Sequence, residues 1–198
     1  MREQWMHVGR LWTNGGPFLA VDAALRGAWH GLSSDDGDQV VALGWRDTSI
    51  PVGTGRAVLV GGDGVVRDDS WVEVFEAETG VVAIVQASGS DYPDVLARAL
   101  GYPVVEDQDG DALKVGSGEL AIFNTALDGT GPYSGPLVNA QPGPVPPVHG
   151  PPSYEAVDPV LLISTSHTEY KLKVRWYTKL DEDSCFARWL LIPVQTNG

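Results

Sequence analysis

Cys185 is the only thiol in this chain. No intramolecular disulfide can form, so the core alone must hold the fold, as expected of a protein of the reducing cytoplasm. Positive charge is also scarce. Thirteen Lys and Arg stand against 26 Asp and Glu, giving a net charge of −13 and a pI near 4.5. That balance argues against nucleic acid as a partner, which needs a basic footprint. It leaves two meanings, plain solubility or a basic partner. No apolar run approaches the ~18 to 20 residues of a membrane span. The opening Met1-Arg2-Glu3-Gln4-Trp5 leads into no apolar signal-peptide core. The expectation is a cytoplasmic protein with no membrane partner.

Catalytic and cofactor motifs are missing as well. Gly15-Gly16 and Gly53-Thr54-Gly55 lack the Lys-Ser/Thr ending of a phosphate loop and the full GxGxxG spacing, so they read as turns. The four histidines, His7, His30, His149 and His167, do not pair at metal-ligand spacing. Gly118-Glu119-Leu120 has no serine where GxSxG needs one. Cys185 could be paired with His167 as nucleophile and base, but it stands in an apolar run where a free cysteine acts as a small hydrophobe. Carboxylates are many, and spacing selects no pair. The reading is a non-enzyme with no catalytic residue, no metal and no cofactor.

What the chain does have is turns. Twenty-four glycines and 14 prolines divide a sequence that is 43% hydrophobic into short runs. Phe18-Leu19-Ala20-Val21 reads as a strand, and Asp22 as the cap of a helical turn holding Leu25 and Trp29 on one face. Arg56 to Val60 reads as a strand. Trp71 to Phe75 and Val81 to Val85 form a hairpin across Glu78-Thr79-Gly80. Ser90 or Asp91 caps a helix with Pro93 in its first turn, ended by Gly101. Residues 112–115, 120–123 and 160–163 are short strands. Glu169 to Thr178 alternates, with Leu172, Val174 and Trp176 opposite Lys171, Lys173, Arg175 and Tyr177. Cys185 to Ile192 is a nearly all-apolar return strand. The predicted fold class is α+β, mostly antiparallel β with two short helices. An N-terminal α+β domain, 1–105, precedes a β-rich, sandwich-like domain, 106–198, with the boundary at the charged turn Glu106 to Asp111. Residues 127–152, dense in Gly and Pro, read as a long loop of polyproline II character that can hold no central strand.

Two acidic clusters, Asp35-Asp36-Gly37-Asp38 and Asp68-Asp69, are either turn residues or parts of a surface that meets a basic partner. Seven tryptophans are a high count. Trp29, Trp71, Trp176 and Trp189 fall at core-like places, whereas Trp5, Trp12 and Trp45 are less placed, and an exposed one would anchor an interface. The stripe Lys171, Lys173, Arg175, Lys179 reads first as charge that protects a sheet edge, and second as a docking face for an acidic ligand.

The order of these pieces resembles a known family. Trp12 to Pro17 gives Trp-Thr-Asn-Gly-Gly-Pro before an apolar strand. Trp29 to Gly31 ends the helical turn, and Val52 to Val60 forms a Val-Gly-x-Gly-x-Ala-Val-Leu-Val strand. Trp71 follows an acidic turn, and Gly118 to Gly129 reads Gly-Glu-Leu-Ala-Ile-Phe-Asn-Thr-Ala-x-x-Gly. This layout is similar to the immunity protein 21 family of bacterial polymorphic toxin systems. The resemblance implies a non-catalytic protein that binds and neutralises a cognate toxin domain inside the producing cell, and a basic toxin such as a nuclease would suit the acidic chain. On that reading Asp35, Asp36, Asp38, Asp68, Asp69 and Trp45 are the toxin-binding candidates. The alternative is a small-molecule-binding or enzymatic α+β domain with its site beneath the Pro-rich loop.

Overall fold

Twelve strands fall into two six-stranded sheets that pack face to face in the computed structural model, which describes residues 3–13, 16–44, 46–62, 66, 70–148 and 158–195. In chain order the strands are β1 (Trp5–Thr13), β2 (Phe18–Asp22), β3 (Ser49–Val52), β4 (Gly55–Val60), β5 (Ser70–Ala77) and β6 (Val82–Ser88). They continue as β7 (Gln108–Lys114), β8 (Glu119–Asn124), β9 (Leu137–Asn139), β10 (Val160–Ser164), β11 (Glu169–Lys179) and β12 (Cys185–Pro193). A 3-10 helix (Ala23–Ala28) and two α-helices, α1 (Asp36–Val41) and α2 (Tyr92–Leu100), complete the elements. The first sheet runs β1-β5-β6-β12-β11-β7 and is antiparallel throughout. The second runs β3-β4-β2-β8-β10-β9, with one parallel pair, β10 and β9. The mostly antiparallel β expectation with short helices is what is observed.

Side-chain alternation explains the layers. On β12, Ala187, Trp189 and Leu191 enter the core between the sheets, while Phe186 and Leu190 face the other way into the cluster under α2. The strand is buried on both faces, which is why its sequence is apolar almost without a break. β8 behaves likewise, with Leu120 and Ile122 facing the first sheet. Ala121 and Phe123 join Leu19, Trp29 and Ile50 on the outer side of the second sheet. α2 starts as its sequence predicts, with the Asp91 carboxylate accepting from Asp94 N–H and proline in the first turn. Its Val95, Leu96 and Ala99 are buried against the first sheet, each large side chain worth about 1.5 to 3 kcal/mol of burial. The β5–β6 turn relies on Gly80, whose φ of +78° is left-handed backbone.

The boundary near residue 105 does not separate two sheets or two cores. β11 and β12 pair into the sheet begun by β1, β5 and β6, and β8 and β10 extend the one begun by β2 to β4. Residues from both halves line the same inter-sheet core. The charged turn is likewise partly strand, because β7 begins at Gln108. The basic stripe is on an interior strand, β11, so it protects no edge. Instead Lys173 meets Asp109 across to β7 at 2.8 Å, and Arg175 meets Asp107 at 2.7 Å. The Pro-rich segment holds no central strand, as its composition requires, but it does contribute the edge strand β9. α1 is an element the sequence does not announce.

Candidate functional site

Four of the residues that carry the family resemblance meet one another. The indole N–H of Trp29 donates to Thr125 O at 3.0 Å, and Gly129 N–H donates to Trp29 O at 3.0 Å. A side chain at Gly31 would strike the Thr125 and Leu127 carbonyls, and one at Gly129 would strike Arg26 O. The Thr125 hydroxyl donates to Pro17 O at 2.9 Å, which ties in the last residue of the Gly-Gly-Pro motif as a fifth member. These motifs therefore form a scaffold on the outer side of the second sheet.

That scaffold presents an acidic knob. The buried Asp128 carboxylate accepts from Leu32 N–H (2.9 Å) and Ser33 N–H (3.1 Å). Burial works against its charge, yet Ser33, through hydroxyl and N–H, and Leu32 N–H outweigh it and hold its pKa below the usual carboxylate range. The chain is thereby pinned where it turns into α1. Asp36 faces inward, accepting from His30 N–H at 2.8 Å and from the Gln39 amide at 2.9 Å. Val40 and Leu43 pack onto the cluster around Trp29. Asp35 and Asp38 are left exposed to water, and the same stretch exposes two apolar side chains that sequence reasoning did not single out. Val41 is 84% exposed and Leu32 60% exposed. So the structure brings Asp35, Asp36 and Asp38 together and gives Asp36 an internal task. Trp45, Asp68 and Asp69 lie outside the described residues.

The scarce positive charge is spent inside. Glu73, fully buried on β5, accepts at Oε1 from Arg10 Nε (2.8 Å), Arg10 Nη2 (2.6 Å) and the Tyr92 hydroxyl (3.0 Å). Its Oε2 is 2.8 Å from His7 Nε2. Burial, with the Glu73 charge adding to it, pushes the Tyr92 hydroxyl far above its usual pKa. Arg10 also stacks over Trp71 at 4.8 Å and donates to the carbonyls of Pro146 (2.6 Å) and Pro147 (3.2 Å). Gln141 and Gly143 N–H donate to Val8 and His7 carbonyls on β1. The Pro-rich segment is thus a strap stapled to β1. Beneath it is a ring of internal hydrogen bonds. On the other side of α2, Asp107 is shared by Arg188 (2.8 Å) and Arg175 (2.7 Å). Arg188 also donates to Ala99 O (2.7 Å) and Tyr102 O (3.0 Å) at the helix C-terminus, where carbonyls favour a cation. Arg10, Arg175 and Arg188 are thus committed to internal carboxylates.

No family model, curated protein or solved structure matches this chain.

Two open clefts lie among the described residues. One, of about 920 Å³, has Trp5, Leu100, Tyr102 and Leu180 on its walls and Arg98, paired with Asp181 at 2.6 Å, on its rim. The other, of about 300 Å³, holds Glu76, Glu78, Thr165, Ser166 and His167. Burial raises the pKa of Glu76, with His167 acting against it. Neither cleft is lined by His7, Arg10, Glu73 or Tyr92. Among the described residues no three His, Cys, Asp or Glu side chains converge as metal ligands. Cys185 is half-exposed at the start of β12, its thiol pKa pushed up by burial with a Tyr177 hydrogen bond opposing. A thiol held protonated in this way is a weaker nucleophile. No helix among the described residues is long and apolar enough to cross a membrane.

Proposed function

We propose that this chain is a non-catalytic inhibitor of the immunity-protein kind, which binds and neutralises a cognate toxin domain carrying a basic face, such as a nuclease, in the cytoplasm of the producing cell. The observation that carries the reading is the sorting of charge. Arg10, Arg175 and Arg188 are turned inward onto Glu73 and Asp107, while Asp35 and Asp38 stand in water within the same short stretch of chain as exposed Leu32 and Val41. Exposed acidic and apolar side chains together have the composition of a surface that steers and then grips a basic partner. The meeting of the Trp29-x-Gly31 and Phe123 to Gly129 motifs adds support, because residues that carry the resemblance then have a shared structural task. On this reading the exposed members of the first acidic cluster lie at the rim of the toxin-binding surface and act on the partner through their field, and Asp36 holds them in place.

Co-expression tests it. The toxin domain encoded by the neighbouring gene is produced with and without this chain, and the two are co-purified. Survival of the co-expressing cells together with a stable complex is the expected result. Death of those cells with no complex would overturn the reading.

A further inference from the structure

Four strands lie at sheet edges, β1 and β7 in one sheet, β3 and β9 in the other. An open edge is a template for another chain, so each needs a cover or a deterrent. β1 is covered by the strap through Gln141 and Gly143. β7 carries Asp109, Asp111 and Lys114. β3 contains Pro51, and its Ser49, with the preceding Thr48, is tied by hydroxyls to Asp111 of β7. Among the described residues β9 has neither cover nor charge. It reads Leu137-Val138-Asn139 and is exposed along its whole length, Leu137 at 53% and Val138 at 44%, with exposed Tyr133 just before it.

The backbone of β9 is half used. It pairs in parallel with β10, Leu137 opposite Val160, Val138 opposite Leu161 and Asn139 opposite Leu162. Flanking bonds run from Val160 N–H to Pro136 O and from Ala140 N–H to Leu162 O. Inward bonds at Pro136 and Ala140 fix the alternation, so Val138 also faces β10, and the N–H and C=O of Leu137 and Asn139 face outward.

We propose that β9 is a docking edge, which takes up an extended segment of a basic protein partner as a further strand. Two N–H donors and two C=O acceptors at alternate residues match another extended backbone, and Tyr133, Leu137 and Val138 offer apolar contact to its side chains. A second copy of this chain is disfavoured as occupant, because each copy carries −13 and like charges repel. Lys or Arg in the incoming segment would instead be drawn to that charge. Only the identity of the partner as a toxin rests on the function proposed above. The strand geometry does not.

The test uses the full chain and a phage-displayed library of random linear peptides. Enriched peptides should alternate apolar residues with Lys or Arg. Hydrogen exchange with a bound peptide should slow at the amides of Leu137 and Asn139. Leu137→Pro deletes one outward donor and leaves the β9–β10 bonds in place, so it should weaken peptide binding roughly tenfold. If that variant does not fold, the exchange pattern of the native chain decides. The proposal is overturned if no peptide is enriched, if bound peptides protect only other amides, or if Leu137 and Asn139 become protected by raising the protein concentration without peptide. Toxin co-purification without β9 protection by peptides would sink the docking edge and spare the proposed function. Peptide protection at β9 without a toxin complex would do the reverse.

Discussion

Asp158 is the residue whose ionisation most directly opposes the fold. Its carboxylate accepts from Trp12 N–H at 2.8 Å and from Asn124, yet burial outweighs both and pushes its pKa up to about 6. A carboxyl whose pKa is higher folded than unfolded binds more protons in the native state. Its cost is absent below the unfolded value near 4, grows as pH rises through the window from about 4 to 6, and is constant above it. The full cost is about 2 to 3 kcal/mol. Asp158→Asn keeps an oxygen for Trp12 N–H and removes the charge. The variant should gain on the native chain in urea unfolding as pH is raised from 4 to 6.5, and the gain should then level off. An equal difference at both ends of that range would sink the idea. Glu76, also raised by burial, adds a contribution of the same sign that the substitution leaves untouched.

The strap is the element whose attachment is most concentrated in one side chain. Arg10 holds Pro146 and Pro147 with one end of its guanidinium and Glu73 with the other. Arg10→Ala should speed hydrogen exchange at Gln141 and Gly143 far more than at β12. It should also cost about 3 to 5 kcal/mol in urea unfolding, since Glu73 stays buried with its cation gone. Unchanged exchange at those two amides would show that the strap is held by something else. Elements whose cause is local were legible from sequence. The β5–β6 hairpin follows from two apolar runs around Gly80, α2 from Asp91, Pro93 and Gly101, and β12 from its unbroken apolar run. Elements with a distant cause were not. α1 has Gly37 inside it and two β-branched valines at its end, and it is pinned through Asp128, which comes 96 residues after Leu32. β9 is an edge strand because β10 is parallel to it, and no turn chemistry signals that. Asp107 reads as a turn acid until Arg175 and Arg188 are found on either side of it. At the knob, acidity marked Asp35 and Asp38, whereas Leu32 and Val41 were hidden because apolar residues in a run are ordinarily read as core.

At the scale of the molecule, the net charge of −13 gives a long-range field that should act on association more than on the finished complex. Asp35→Asn with Asp38→Asn should slow association with the co-purifying toxin domain several-fold at low salt and leave dissociation nearly unchanged. The gap between variant and native chain should close as salt is raised to about 0.5 M, where screening is within a few Å. A variant that slows association equally at all salt concentrations would mean the two aspartates act by contact rather than by field. The interleaving of the sheets has a consequence in time. β12 is the last of the described strands in chain order and a central one, between β6 and β11. A chain leaving the ribosome therefore leaves the facing edges of β6 and β11 without their partner until residues 185–193 emerge. Neither half can finish its core early, and maturation of the whole waits on one late strand.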